Sequence, residues 1–292
     1  CTIALLMFTI AKGTVGMGAR RWINVVFFRF QPSELAKLFF PPFFVYFFKT
    51  YKNIVAPSFK DFLFPILSLL FTTLLILKQP DLGTAILFFL SGIFLMWICG
   101  FKGRTILFLT LIASTTTPLL FKALKPYQKQ RILVFLGQGD ERKERYQIEQ
   151  AKIAIGSGGI TGKGYLRGTQ NKLMFLPEGR TDFIFAVLCE EWGFLGALLV
   201  ILLYIMIFSR FISSIQKITD FYAQALAIGL LLYTLFATII NISMVVGLMP
   251  IVGIPLPFLS YGISHLWITF ASFGMIESII IRELYLGFQK KL

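Results

Sequence analysis

The chain has 292 residues, of which 57% are hydrophobic and 33 are phenylalanine, and its formal charge is +14. A mean hydropathy of +0.77 excludes an ordinary soluble domain, because a fold of this size cannot hide that much apolar surface. The apolar runs are long and do not alternate, which predicts an all-α, polytopic transmembrane bundle over a β-barrel. In such a protein the positive charge reflects anchoring and contact with anionic membrane lipids, so nucleic acid is not expected as a partner. Cys1, Cys99 and Cys189 have no motif spacing and read as small core residues. The lone His265 reads as structural, since one histidine without clustered partners is poor material for a metal site.

Residues 1–10 are apolar. At ~1.5 Å per residue they cross about half of a ~30 Å bilayer core, so they read as part of a helix with further helices upstream. The polar connection at 12–32 holds GARRWINVVFFRFQPSE, with Trp22 suited to the interface and Arg20 and Arg21 to head groups or phosphate. A helix is predicted over 33–48, with Pro32, Ser33 and Glu34 at its start. Glu34 and Lys37, three apart, share a face, either as a plain ion pair or as a functional one. Pro41-Pro42 predicts a kink.

Helices follow at 62–78, 83–99 and 103–121. The joint KQPDLG puts Asp81 at a helix start, where an N-cap and a chemical role are both open. A long polar segment spans 122–182, and helices return at 183–208, 222–247 and 264–285. Pro250, Pro255 and Pro257 preclude a regular helix over 247–262. Irregular backbone at membrane depth must line a cavity or pack on protein. Seven complete helices thus follow the partial one. The short loops holding Lys49, Lys52, Lys60, Lys102, Arg104, Arg210 and Lys217 lie on the same side as the C-terminus. The positive-inside rule places that side in the cytoplasm and the segment 122–182 outside, despite its own charge.

From Lys122 to Asp182 twelve cations stand against six acids, leaving +6. A basic outer cavity attracts an anionic, membrane-tethered ligand, although a solvated face would look similar. Tyr146 to Ile155 has helical spacing and is suited to lying flat on the membrane. The six glycines from Gly156 to Gly168 let backbone approach a ligand closely, with Lys163 among them. The string is not a Walker loop, since Gly164 follows Lys163 where Ser or Thr is needed. In LPEGRTDFIFAVLCEEWGFLG, Thr181 or Asp182 is placed to cap a long apolar helix. A carboxylate there can serve as cap or as general base, and the Arg180 guanidinium can stabilise a leaving phosphate. Glu190 and Glu191 fall within the apolar span and should face the bundle interior or water.

Five strings, GARRWINVVFFRFQPSELAK, KQPDLGTA, YQIEQAKIAIGSGGITGKGYLRGTQ, LPEGRTDFIFAVLCEEWGFLG and GLMPIVGIPLPFLSYG, cover about Lys12 to Gly262 in order. Together they resemble the SEDS family of cell-wall polymerases, nearer its rod-shape branch (RodA) than its division branch (FtsW). The resemblance implies ten transmembrane helices in the intact protein, with the first two and most of the third outside this chain. It implies one transmembrane domain over 1–292, with 122–182 as a long extracytoplasmic loop, in the bacterial cytoplasmic membrane. The implied activity is a glycosyltransferase that polymerises lipid II into glycan strands at the outer surface. The implied partner is a class B penicillin-binding protein, the crosslinking transpeptidase. Where the family usually reads SYGGS, residues 260–264 read SYGIS, followed by His265.

On that resemblance Asp182 is the general base. Arg21, Lys37 and Arg180 are candidates to neutralise the pyrophosphate, with Glu34 orienting Lys37, and Asp81 and Lys163 are further substrate-binding candidates. A divalent cation, Mg or Mn, could share the work, but the sequence offers no dedicated cage. Two other readings remain open at this level. A lipid II flippase fits polar residues near helix breaks in a large bundle, and a non-enzymatic scaffold of the elongation or division complex needs no outer base.

Overall fold

The computed structural model describes residues 2–16, 19–25, 28–51, 59–104, 129, 133–134, 142–173, 175–176 and 178–289. The helix expected over 103–121 and the early part of the polar segment, 122–141, lie outside the described residues apart from isolated positions. In chain order the described elements are α1 (Thr2–Lys12), β1 (Thr14–Gly16), β2 (Ala19–Val25), β3 (Phe28–Phe30), α2 (Pro32–Tyr51), α3 (Phe59–Lys78) and α4 (Leu82–Ile98). They continue with α5 (Arg142–Gly158), α6 (Thr169–Lys172), α7 (Ile184–Ile215), α8 (Phe221–Val245) and α9 (Ile263–Gln289). Four stretches among the described residues are long and apolar enough to cross a membrane: α3, α7, α8 and Ile263–Glu283 within α9. The helical, membrane-spanning character expected from composition holds.

The chain divides into two compact units. The first comprises Cys1–Thr110, Arg210–Phe236 and Ile263–Leu292. Here the polar connection at 12–32, for which no strands were expected, is ordered. It forms a three-stranded antiparallel sheet in the order β1-β2-β3, with Thr14 opposite Trp22 and Asn24 opposite Arg29. Trp22, Ile23, Val25, Phe28 and Phe30 are residues that suit a pleated surface, which is the physical basis of the difference. Pro32 occupies the first helical position of α2, where a missing N–H leaves no hydrogen bond unmade. α2 continues through Pro41 and Pro42, where a kink was expected. Pro41 packs at Gly229 of α8, whose bare Cα leaves room for the ring. Rings of Phe44, Phe48, Phe62 and Phe101 follow one another at centroid spacings of 4.9, 4.8 and 4.8 Å, tying α2 to α3 and to the residues after α4. Each is buried, so together they supply much of this unit's apolar core.

The second unit comprises Leu111–Ser209 and Ala237–Gly262. Its main helix, α7, is interrupted: Gly193 has φ 66° and ψ −164°. The glycine loop 159–168 docks at this interruption. Phe194 N donates to Gly159 O at 2.8 Å and Leu195 N to Ile160 O at 3.1 Å, while Lys163 N donates to Glu190 O at 3.0 Å and Gly164 N to Glu191 O at 2.9 Å. Backbone groups that lose their helical partners at the break are thus paired again by the loop. A single continuous helix over 183–208 was expected; the break is set by that remote loop. Residues 246–262 form no helix, as their prolines require. Cys99 and Cys189 are buried free thiols, consistent with core roles.

Candidate functional site

In the first unit, four of the candidate residues fall within one connected polar layer. Glu34 and Lys37, one turn apart on α2, are both buried and pair at 2.5 Å. Glu34 Oε2 also lies 3.5 Å from His265 Nδ1 at the start of α9. Gln31 Nε2 donates to Asp81 Oδ2 at 2.8 Å, and Asp81 Oδ1 accepts from Thr84 N at 3.2 Å. Asp81 is therefore the N-cap of α4 and a buried anchor for Gln31. The Arg21 guanidinium donates to the carbonyl of Gln79 at 2.9 Å and to that of Pro80, closing the α3–α4 joint. Ser264 Oγ accepts from Gln31 N at 3.3 Å and donates to Arg29 O at 3.0 Å, which joins α9 to the sheet. Gln31, Ser264 and His265 were not among the sequence candidates, or were read as structural. Their shared signal was only their place in strings rich in polar residues beside apolar helices.

The second unit holds Asp182 on a tight turn over 178–183 that precedes α7. The Glu178 carbonyl accepts from Thr181 N and Phe183 N, both at 3.1 Å, and the Glu178 carboxylate accepts from Thr181 Oγ1 at 2.8 Å. α7 begins at Ile184, and the Phe183 carbonyl takes the amides of Ala186 and Val187 at 3.0 and 3.3 Å. Asp182 is half-buried and Arg180 is exposed. The carboxylate stands against Gly253, where a Cβ would lie 3.3 Å from Asp182 Oδ2.

Lys163 is brought to Glu190, not to Asp182. Glu190 is fully buried, and its Oε1 accepts from Lys163 Nζ at 2.7 Å, Thr169 N at 2.8 Å, Thr169 Oγ1 at 2.9 Å and Gln170 N at 3.2 Å. Glu191 Oε2 accepts from Leu166 N at 3.1 Å. Both glutamates face protein interior, as the apolar span required. Together they hold the glycine loop on the broken helix. Among the described residues no group of three or more His, Cys, Asp or Glu is placed to hold a metal ion.

Long apolar helices with polar groups seated at their joints define a multi-pass membrane protein. Comparison with known proteins gives the family. The chain belongs to the FtsW/RodA/SpoVE cell cycle protein family, which matches residues 1–284. The peptidoglycan glycosyltransferase MrdB of Escherichia coli K12 is 41% identical over 279 residues, covering 95% of this chain and 75% of that protein. The peptidoglycan glycosyltransferase RodA of Treponema pallidum is 33% identical over 355 residues, covering 97% and 82%. Among solved structures, a chain from a peptidoglycan synthase complex that coordinates polymerization and crosslinking superposes with a TM-score of 0.79 at 26% identity. It covers 97% of this chain and 79% of that one.

Proposed function

We propose that this chain is a peptidoglycan glycosyltransferase that polymerises lipid II into glycan strands at the outer face of the cytoplasmic membrane, with Asp182 as general base. The relatives' activity and the family strings support the reaction class. The observation that carries the residue assignment is the half-buried Asp182 carboxylate on a turn whose backbone is pinned on three successive carbonyls. A group that must meet a hydroxyl in one orientation profits from such fixing.

The acceptor's sugar 4-hydroxyl oxygen attacks the anomeric carbon of the donor, and its proton passes to the Asp182 carboxylate. The bond from the anomeric carbon to the pyrophosphate oxygen breaks with inversion, and the electron pair leaves with undecaprenyl pyrophosphate. Arg180 is exposed two residues from the base, so we assign the leaving anion to its guanidinium. Lys37 and Arg21 are already engaged by Glu34 and by two carbonyls. We assign them to shaping the polar layer of the first unit. Lys163, paired with Glu190, holds the glycine loop.

The charge of the short loops supports a cytoplasmic C-terminus and an extracytoplasmic 122–182 segment. A class B penicillin-binding protein is the proposed partner, because the solved neighbour belongs to a complex coordinating polymerization with crosslinking. The test supplies labelled lipid II to the protein, purified with that partner, as wild type and as Asp182→Asn. Strands from the wild type alone are the expected result. Equal strands from both would remove Asp182 as base. Strands from neither, with lipid II transport intact, would favour a transporter.

A further inference from the structure

Three successive carbonyls carry the turn on which Asp182 sits, and each accepts one hydrogen bond from the segment 241–261. Tyr261 N donates to Arg180 O at 2.9 Å. Ser260 Oγ donates to Thr181 O at 2.6 Å. Asn241 Nδ2 donates to Asp182 O at 2.8 Å. Backbone–backbone pairing explains the first of these. The other two depend on side chains, and both side chains are buried.

Asn241 does more than hold one carbonyl. Its second amide hydrogen goes to Ile254 O at 2.7 Å, one residue after Gly253. Gly253 is the residue whose bare Cα faces the Asp182 carboxylate, and its φ of +71° suits glycine. One amide thus fixes both the residue that bears the carboxylate and the backbone that walls it. Ser260 adds a parallel tie, because its hydroxyl also accepts from Leu256 N at 2.7 Å while donating to Thr181. The orientation of the amide is set by chemistry: turned over, its oxygen would face two carbonyl oxygens. Asn241 Oδ1 has no hydrogen-bond partner among the described residues. A fully buried amide whose oxygen is unsatisfied is poor material for stability alone.

The geometry points to Asn241 and Ser260 as positioning residues for the general base, setting where the Asp182 carboxylate stands relative to the acceptor hydroxyl. They touch no substrate and act through Asp182, so the inference rests on the assignment of Asp182 as base. Loss of either tie lets the turn shift by a fraction of an ångström to an ångström. That affects the chemical step more than substrate binding, since a misplacement of about 1 Å costs on the order of 100-fold in rate.

The experiment compares wild type, Asn241→Leu, Asn241→Asp, Ser260→Ala, Ser260→Thr and Asp182→Asn, each purified with the transpeptidase partner. Polymerisation of fluorescent lipid II gives kcat and KM, and thermal unfolding gives Tm. The expected result for both Asn241 variants is a fall in kcat of about 10- to 100-fold with KM within about twofold of wild type. Ser260→Ala should lose kcat alone and by less, since Asn241 remains, and Ser260→Thr, which keeps the hydroxyl, should recover it. Unchanged kcat in the Asn241 and Ser260→Ala variants, with Asp182→Asn inactive, overturns the positioning role and leaves the base assignment standing. A rise in KM together with a fall in Tm, at unchanged kcat, reduces both residues to structural ties and overturns it as well. Should the Asn241 variants fail to fold, the Ser260→Ala and Ser260→Thr pair decides by the same kcat criterion. Full activity in Asp182→Asn removes the base assignment and this inference with it.

Discussion

Replacing Gly193 by alanine should release the glycine loop from α7, and the size of the effect can be worked from the break itself. Gly193 has φ 66° and ψ −164°, a region almost closed to residues with a Cβ. Holding alanine there costs about 1–3 kcal/mol. The added Cβ would stand 2.3 Å from Gly162 N and 2.5 Å from Ile160 O, both backbone atoms that cannot swing aside as a side chain would. The loop must therefore move, which breaks the bonds from Phe194 N to Gly159 O and from Leu195 N to Ile160 O. At about 1 kcal/mol for each bond, the docked state loses roughly 3–5 kcal/mol in all. Even the lower figure raises the undocked population about 100-fold, at 1.4 kcal/mol per factor of ten. Arg167 lies exposed in this loop and offers a tryptic site. Limited proteolysis under native conditions, where reclosing outpaces cleavage, reads that population directly. Cleavage at Arg167 should accelerate by about 100-fold in Gly193→Ala. A rate within about twofold of wild type would refute the account of the break as a glycine-dependent splice.

Substitutions at two further sites probe the buried charges. Glu190→Ala strands two backbone amides, a hydroxyl and the Lys163 ammonium, and should cost about 3–5 kcal/mol in thermal or denaturant unfolding. Glu190→Gln keeps the shape and an acceptor oxygen, and should cost about 1–2 kcal/mol. Equal losses would mean that the charge, not the acceptor, holds the loop. Lys37→Met leaves the Glu34 carboxylate buried without its ammonium and should also cost about 3–5 kcal/mol. Adding Glu34→Gln to that variant should recover most of the stability, because no buried charge is then left unpaired. Failure of the double variant to recover would show that Lys37 acts through contacts other than Glu34.

The parts of the fold that follow from local chemistry were legible in the sequence. Long apolar runs gave α3, α8 and α9 close to their bounds, and the prolines of 247–262 marked a non-helical segment. Asp81 could be read as a cap from its place in KQPDLG, and Glu190 and Glu191 as interior-facing from their place in an apolar run. What depended on distant partners was not legible. Gly193 inside WGF looks like a tolerated helix glycine. Only the loop some thirty residues upstream, with its amides at Lys163 and Gly164, makes it a break. Lys163 looked like a substrate cation because its partner, Glu190, is 27 residues away. The strands at 14–30 are short, and their arginines masked the β-branched and aromatic residues between them. Asn241 did leave a signal: a lone amide in the run FATIINISMVV, costly in an apolar setting unless it is bonded.

A common rule connects these cases. In an apolar bundle every backbone group that leaves a helix must find a partner inside the protein, because no water is there to supply one. This chain meets the requirement at three of its described irregular joints with a segment remote in sequence. At 79–80 the partner is Arg21; at 190–195 the partners are the amides and carbonyls of the glycine loop; at 180–182 they are Asn241, Ser260 and Tyr261. Irregular joints are also where a carboxylate or guanidinium can stand clear of a helix face and meet a ligand. The bonds that make such a joint tolerable in the membrane therefore also fix the position of its side chains. For Asp182, the proposed base, this ties placement of the carboxylate to residues some sixty to eighty positions further along the chain.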